Sequence, residues 1–354
     1  MSLLLALALA LALALALAPA LALTLACTHG PGPDDSGSGA AGPSFDYPLD
    51  DVLRLVDVQA LGTHNSYHIQ PDVPLDDSWR YTMAPLDLQL SQQGVRQVEL
   101  DLHWNQDLGH FEVYHVPIVD PQSTCLAFTD CLQTMRDWSD ANPGHLPLMV
   151  LIEPKNEGAT VLWEERVDEY EAEVDSVWPA SRRLSPDELQ GAHGSLREAV
   201  LAEGWPTLGA LRGKIIFGLL DTGSSRDAYT AKGTSLAGRT TFAAMEDQPD
   251  SPLASFFLQD DPVGDSKQIA AYVDQGFLVR TRADADGPAL VAKTEQLQAA
   301  LDSGANWLST DYPAKVAGVP YVAAVPEGTP ARCNPRTAPP ECTSQDIEDP
   351  AFVH

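Results

Sequence analysis

Val98-Glu99-Leu100-Asp101-Leu102-His103 alternates apolar and polar residues with period two. A strand of that pattern puts Glu99, Asp101 and His103 on one face and the three apolar residues on the other. On a solvated edge such carboxylates would need no partner. On a central strand they repel each other and resist burial unless a cation sits between them. The flanking sequence favours the central position, because short apolar runs ending in polar groups recur along the chain. Val56–Leu61 leads into Gly62-Thr63-His64-Asn65, Leu148–Ile152 into Glu153-Pro154-Lys155, and Ile215–Leu220 into Asp221. Phe111–Tyr114 leads into His115, Phe277–Val279 into Arg280-Thr281-Arg282, and Trp307–Leu308 into Ser309-Thr310-Asp311; Thr241–Met245 is a weaker candidate.

Helical patterns fall between these runs. Trp163, Val167, Tyr170, Val174 and Val177 share one face at helical spacing, with acidic residues opposite. Ser185-Pro186-Asp187-Glu188 is a helix start with a capping box and proline at the first helical position. Ile269–Gln275 and 290–303 also read as helices. Strand and helix alternating about eight times predicts an α/β fold of the (β/α)8 type, a TIM barrel in a single catalytic domain. A doubly wound sheet is the alternative, but no glycine-rich phosphate loop follows the first strand.

In a parallel barrel, chemistry gathers at the C-terminal strand ends. The sequence supplies two histidines there, His64 and His115, the amide of Asn65, the carboxylates Glu99, Asp101 and Glu153, and the cations Lys155 and Arg282. Each has a bland reading. His64-Asn65 is also a turn dipeptide, a lone histidine is more often structural than catalytic, and Arg280 with Arg282 suits a rim salt bridge. Gathered at one mouth, they suit a hard cation with oxygen ligands and acid–base histidines, a set matched to phosphoryl transfer. The chain lacks a G-x-S-x-G elbow and an H-E-x-x-H motif. Asp284-x-Asp286-Gly287 resembles part of a calcium loop, but Arg282 and Lys293 stand where that loop needs its first and last ligands.

Residues 1–26 are mostly Leu and Ala without charge and end in Leu-Ala before Cys27. This predicts a signal segment of lipoprotein type, with Cys27 as the lipidation site; a plain signal peptide or an anchor helix are the alternatives. Residues 27–44 read as a flexible linker rich in Gly, Pro, Ser and Asp, 45–325 as the catalytic domain and 326–354 as an irregular tail. The expected location is extracytoplasmic, secreted or anchored to a bacterial envelope. There the four remaining cysteines would form two disulfides, most simply Cys125 with Cys131 and Cys333 with Cys342. Neither spacing suits zinc. The net charge of −29 argues against nucleic acid as a partner and against anionic lipid surfaces.

The ordered set GTHNSY (62–67), VRQVELDLHW (95–104), FEVYH (111–115), LIEPK (151–155), GWPTLGALRGKIIF (204–217), LVRTRAD (278–284) and LSTDYP (308–313) resembles the calcium-dependent phosphoinositide phospholipase C family, its bacterial members above all. The resemblance implies a (β/α)8 barrel, a Ca2+ cofactor and an inositol-containing phospholipid substrate met at a membrane by what is expected to be a monomer. It makes His64 and His115 the catalytic pair, Asn65, Glu99, Asp101 and Glu153 the calcium ligands, and Lys155 and Arg282 the substrate-binding cations. It further implies attack by the inositol 2-hydroxyl on phosphorus. A glycerophosphodiesterase, a phospholipase D-like barrel and a non-catalytic surface lipoprotein are the rivals. The first of these tends to show His-Arg-Gly where this chain has His64-Asn65-Ser66.

Overall fold

The structure is a computed structural model and describes residues 45–285, 294–326 and 330–354. The signal-like run, Cys27, the linker to residue 44 and Asp286-Gly287 lie outside them, and the helix read over 290–303 is described from Thr294. Residues Phe45–His354 form one compact unit.

Ten strands appear in chain order: β1 (Val58–Thr63), β2 (Gln97–Asn105), β3 (His110–Val113), β4 (Leu148–Pro154), β5 (Ile215–Leu219), β6 (Thr241–Ala243), β7 (Phe256–Leu258), β8 (Leu278–Arg282), β9 (Trp307–Thr310) and β10 (Ala331–Cys333). Eight run parallel in the order β6-β5-β4-β2-β1-β9-β8-β7. The ends of that path meet through the parallel bridge Ala244–Phe256, which brings the sheet round into a nearly closed barrel. Helices on the outside cover it, so β4 is buried along Leu148–Ile152, as parallel strands with both faces covered must be.

Two strand assignments differ from expectation. Phe111–Tyr114 does not form a barrel strand: β3 pairs antiparallel with β2, Leu102 opposite Val113, as a hairpin. Only Gln106–Gly109 separate β2 from β3, with Gly109 at φ +71°. A parallel crossover needs a dozen or more residues, so a hairpin is the only connection that short. The place in the barrel goes to β7, three residues of Phe and Leu too short to stand out as a strand by pattern.

The helical expectations hold more closely. Helix Val167–Val177 buries Val167, Tyr170 and Val174, with Trp163 in a 3-10 turn just ahead of it. Ser185 caps helix Pro186–Gln190 by accepting from the Glu188 amide. The C-terminal segment carries structure of its own. Strand β10 pairs antiparallel with β1, and a turn of helix at Ser344–Ile347 delivers Glu348 to the bottom of the barrel. There Glu348 accepts from Arg96 Nε at 2.8 Å, from Arg96 Nη2 at 2.5 Å and from the Leu146 amide at 2.6 Å. Disulfides join Cys125 to Cys131 and Cys333 to Cys342, the local pairing. No described helix is long and apolar enough to cross a membrane.

Candidate active site

At the C-terminal end of β1 the chain turns sharply, and Asn65 takes φ 42°, a left-handed conformation that asparagine tolerates. The turn is locked by Ser66, whose amide donates to the Glu99 carbonyl and whose hydroxyl accepts from the Glu99 amide. It therefore fastens β1 to β2 beside the first carboxylate. The Asn65 side chain is buried, and its amide oxygen has no hydrogen-bond partner.

Glu99, Asp101 and Glu153 each offer a carboxylate oxygen, and these lie within 4.8 Å of one another. Register explains the grouping: Asp101 stands directly opposite Glu153 across β2 and β4. Arg280 Nη2 lies 2.6 Å from Glu99 Oε2. Lys155 Nζ lies 3.1 Å from Asp101 Oδ2 and 2.5 Å from Glu153 Oε1. Asp101 is wholly buried; its Oδ2 meets the Lys155 ammonium, while Oδ1 has no hydrogen-bond partner. Burial first, then the Glu153 charge, holds its carboxyl well above the usual range, with Lys155 opposing. Three converging carboxylates, each tied to a cation, and a buried amide oxygen without a partner are hard oxygen donors that fit calcium.

His64 Nδ1 lies 2.9 Å from Asp311 Oδ1 and Nε2 lies 3.7 Å from Glu99 Oε1. Burial, then the Arg282 charge, holds the imidazole well below its ordinary pKa. Arg282 Nη2 is 3.3 Å from Asp311 Oδ2, so the arginine and the histidine share one carboxylate. A cavity of about 310 Å³ opens here, lined by His64, Glu99, Glu153, Glu246, Asp260, Arg280 and Arg282 with Leu220 and Leu258.

His115 stands outside the carboxylate group and the cavity lining, on a different element from the one its parity suggests. It follows the hairpin strand β3, and the chain then folds back through a tight turn in which Val116 and Asp120 exchange backbone hydrogen bonds. That turn returns Asp120 to His115, with Oδ2 at 2.8 Å from Nδ1. His68 Nε2 lies 2.9 Å from the same oxygen. The His68 ring packs on Tyr81, whose hydroxyl is 3.4 Å from His64 Nδ1, so the two expected catalytic histidines are linked through Tyr81 and His68.

Lys155 and Arg282, expected on substrate, are thus engaged with carboxylates, Lys155 inside the acidic group itself. His103 has the parity of Glu99 and Asp101 but leaves the group. It stacks on Tyr114 at 3.9 Å, donates toward the His115 carbonyl, and burial pushes its pKa down to about 4. Sequence reasoning missed Asp311, Asp120, His68, Glu246 and Asp260. Asp311 lay inside the LSTDYP motif, and His68 directly follows GTHNSY. Asp120 gave no signal, because only the fold-back turn brings it to His115.

Residues 107–335 match the family model described as phosphoinositide phospholipase C, Ca2+-dependent. The chain belongs to this family. The match takes in His115, Glu153, Lys155, Arg282 and Asp311, while His64, Asn65, Glu99 and Asp101 lie ahead of it. Calcium is the cofactor of the family, and the protein is accordingly a phosphodiesterase of the phosphoinositide phospholipase C type. Among solved structures, the calcium-dependent phosphoinositol-specific phospholipase C of a Pseudomonas species is similar at a TM-score of 0.56 and 19% identity, over 82% of this chain and 98% of that one. The Ca2+-dependent phosphatidylinositol-specific phospholipase C of Streptomyces antibioticus is similar at a TM-score of 0.52 and 23% identity, over 74% and 95% of the two chains. At these identities the likeness establishes the barrel. No curated protein matches the chain.

Proposed function

We propose that the protein cleaves phosphatidylinositol to diacylglycerol and inositol cyclic phosphate, with His64 and His115 as the acid–base pair and Asn65, Glu99, Asp101 and Glu153 as the calcium ligands. The single observation that carries this reading is the convergence of the Glu99, Asp101 and Glu153 carboxylates, two of which, Glu99 and Glu153, line the His64 cavity.

In this mechanism the inositol 2-hydroxyl oxygen attacks phosphorus, the bond from phosphorus to the glyceryl oxygen breaks, and a five-membered cyclic phosphate forms. Calcium held by these oxygens would lower the pKa of the hydroxyl and offset charge on the phosphoryl group. His64 is suited to take the hydroxyl proton. Asp311 accepts from its Nδ1, the ring is held neutral, and Nε2 keeps a free lone pair on the Glu99 side. His115, with Nδ1 donated to Asp120, supplies the proton to the leaving glyceryl oxygen. Arg282, on the far side of Asp311, lies where it can steady phosphoryl or inositol oxygens.

The bilayer is approached through apolar groups rather than charge. Val73, Leu75, Leu108, Ile118 and Leu162 are exposed; Val73 and Leu75 follow β1, Leu108 follows β2, Leu162 follows β4, and Ile118 lies in the segment after the hairpin strand β3. Ile118, 93% exposed, stands at the tip of the turn between His115 and Asp120 with φ 72°. A β-branched residue in that conformation is strained, which supports a functional reason for presenting it. A working place outside the cytoplasm is supported by the two disulfides.

The decisive experiment is hydrolysis of phosphatidylinositol vesicles with calcium and with excess chelator, reading both halves of the product. Inositol cyclic phosphate and diacylglycerol that appear only with calcium are expected. Free headgroup alcohol with phosphatidic acid, or glycerol phosphate from other diesters, would instead support the rival barrel phosphodiesterases.

A further inference from the structure

Away from the oxygen-only group stands a second cluster of different chemistry. His68 Nε2 and His115 Nδ1 converge on Asp120 Oδ2, at 2.9 and 2.8 Å. His68 and Asp120 are wholly buried, while 18% of the His115 side chain reaches solvent. The other nitrogen of His68, Nδ1, lies 3.0 Å from the Tyr81 carbonyl oxygen, which can only accept. Nδ1 therefore carries a proton, and a neutral His68 would turn an Nε2 lone pair toward a carboxylate lone pair. The contact is favourable only if a second proton, or a metal ion, stands between them. The remaining oxygen of Asp120, Oδ1, is buried and has no hydrogen-bond partner.

We propose that His68, His115 and Asp120 form a second metal site, one that takes a zinc-type ion rather than calcium. Two imidazoles and one carboxylate are a borderline donor set that zinc prefers and calcium does not. A metal-binding histidine is characteristically held by donating its other ring N–H to a backbone carbonyl, and Tyr81 does this for His68. Zinc bonds of about 2.0–2.1 Å at tetrahedral angles separate ligand atoms by about 3.3 Å. The donors must therefore part by about half an ångström, which the partly exposed His115 ring can provide. Binding replaces the Nε2 proton of His68 and the Nδ1 proton of His115, and both leave to solvent. It also takes His115 out of proton transfer, so zinc should inhibit turnover. That consequence rests on the role proposed for His115, whereas the site itself does not.

The test measures zinc binding to the substrate-free protein by competition with a chromophoric chelator, with calcium present in excess. One zinc ion bound per chain, weakened about 100-fold or more in His68→Asn and in Asp120→Asn but kept in Glu153→Gln, is the expected result. Cobalt bound to the unaltered protein should show the visible bands of a tetrahedral nitrogen–oxygen site, a readout that requires no variant to fold. Absence of binding, or binding lost in Glu153→Gln and kept in His68→Asn, overturns the proposal. Zinc that binds as expected yet leaves turnover intact sustains the site and removes His115 from the proposed mechanism.

Discussion

Lys155 Nζ stands 3.1 Å from Asp101 Oδ2 and supplies the positive charge that faces this buried carboxylate from within the acidic group. Its removal leaves Asp101 and Glu153 to repel each other across β2 and β4. Lys155→Met should destabilise the protein in chelator by about 2–3 kcal/mol, somewhat under the cost of breaking a fully buried pair. Calcium should restore most of that loss, which chemical denaturation with and without the ion would show. Equal loss in both conditions would place the effect of Lys155 outside the carboxylate group.

His115→Ala removes the proposed proton donor and should lower turnover about 100-fold or more while leaving calcium binding in place. Single-turnover hydrolysis together with calcium titration checks both halves. A near-normal rate would return His115 to a purely structural role.

Ile118→Asp should weaken turnover on vesicles of phosphatidylinositol diluted in zwitterionic lipid about tenfold or more, from the loss of one apolar insertion together with the charge it adds. It should spare a soluble short-chain substrate. Aspartate tolerates the left-handed conformation at this position better than isoleucine, so misfolding is not expected to confuse the comparison. Equal losses on both substrates would count against apolar docking.

Glu246 lines the cavity, and burial, with Asp247 adding to it, pushes its carboxyl up to about 7 against opposition from Arg226. The folded chain then holds this proton more tightly than the unfolded chain. Stability is fully present below the ordinary glutamate pKa of about 4.3 and declines as pH rises through about 7. In chelator, Glu246→Gln should flatten that decline, measured as unfolding free energy between pH 4 and pH 8. An unchanged slope would show that other groups set it.

Glu348→Ala strands the Arg96 guanidinium at the bottom of the barrel, where it is 1% exposed. The expected cost is about 3–5 kcal/mol, the usual penalty for one uncompensated buried charge. Denaturant unfolding reads it directly. A loss under 1 kcal/mol would mean that water or the Leu90 and Val95 carbonyls, which already accept from Arg96 Nη1, satisfy the arginine.

Local pattern carried most of the fold. Period-two alternation in β2, continuous apolar runs in β4 and β5, and the helical stripe at Val167, Tyr170 and Val174 are properties of neighbouring residues, and each became the expected element. Pattern went astray where chain direction mattered. The run at Phe111 has strand composition, but only the length of its connection to β2 tells a hairpin from a barrel strand. Three-residue strands such as β7 hold too few residues for a period to show.

At the candidate site, the residue types at the strand ends were legible because parallel barrels collect chemistry there. The sequence by itself determined that Glu99 and Asp101 share a face and that such a pair calls for a cation. Only the tertiary structure decided what each charged group meets. It put Lys155 between Asp101 and Glu153, paired His64 with Asp311 from the far end of the chain, and set His68 and His115 on one oxygen of Asp120. Periodicity fixes the direction in which a side chain leaves its own strand. Partners come from register between strands and from turns such as Val116–Asp120, which depend on packing across the whole barrel.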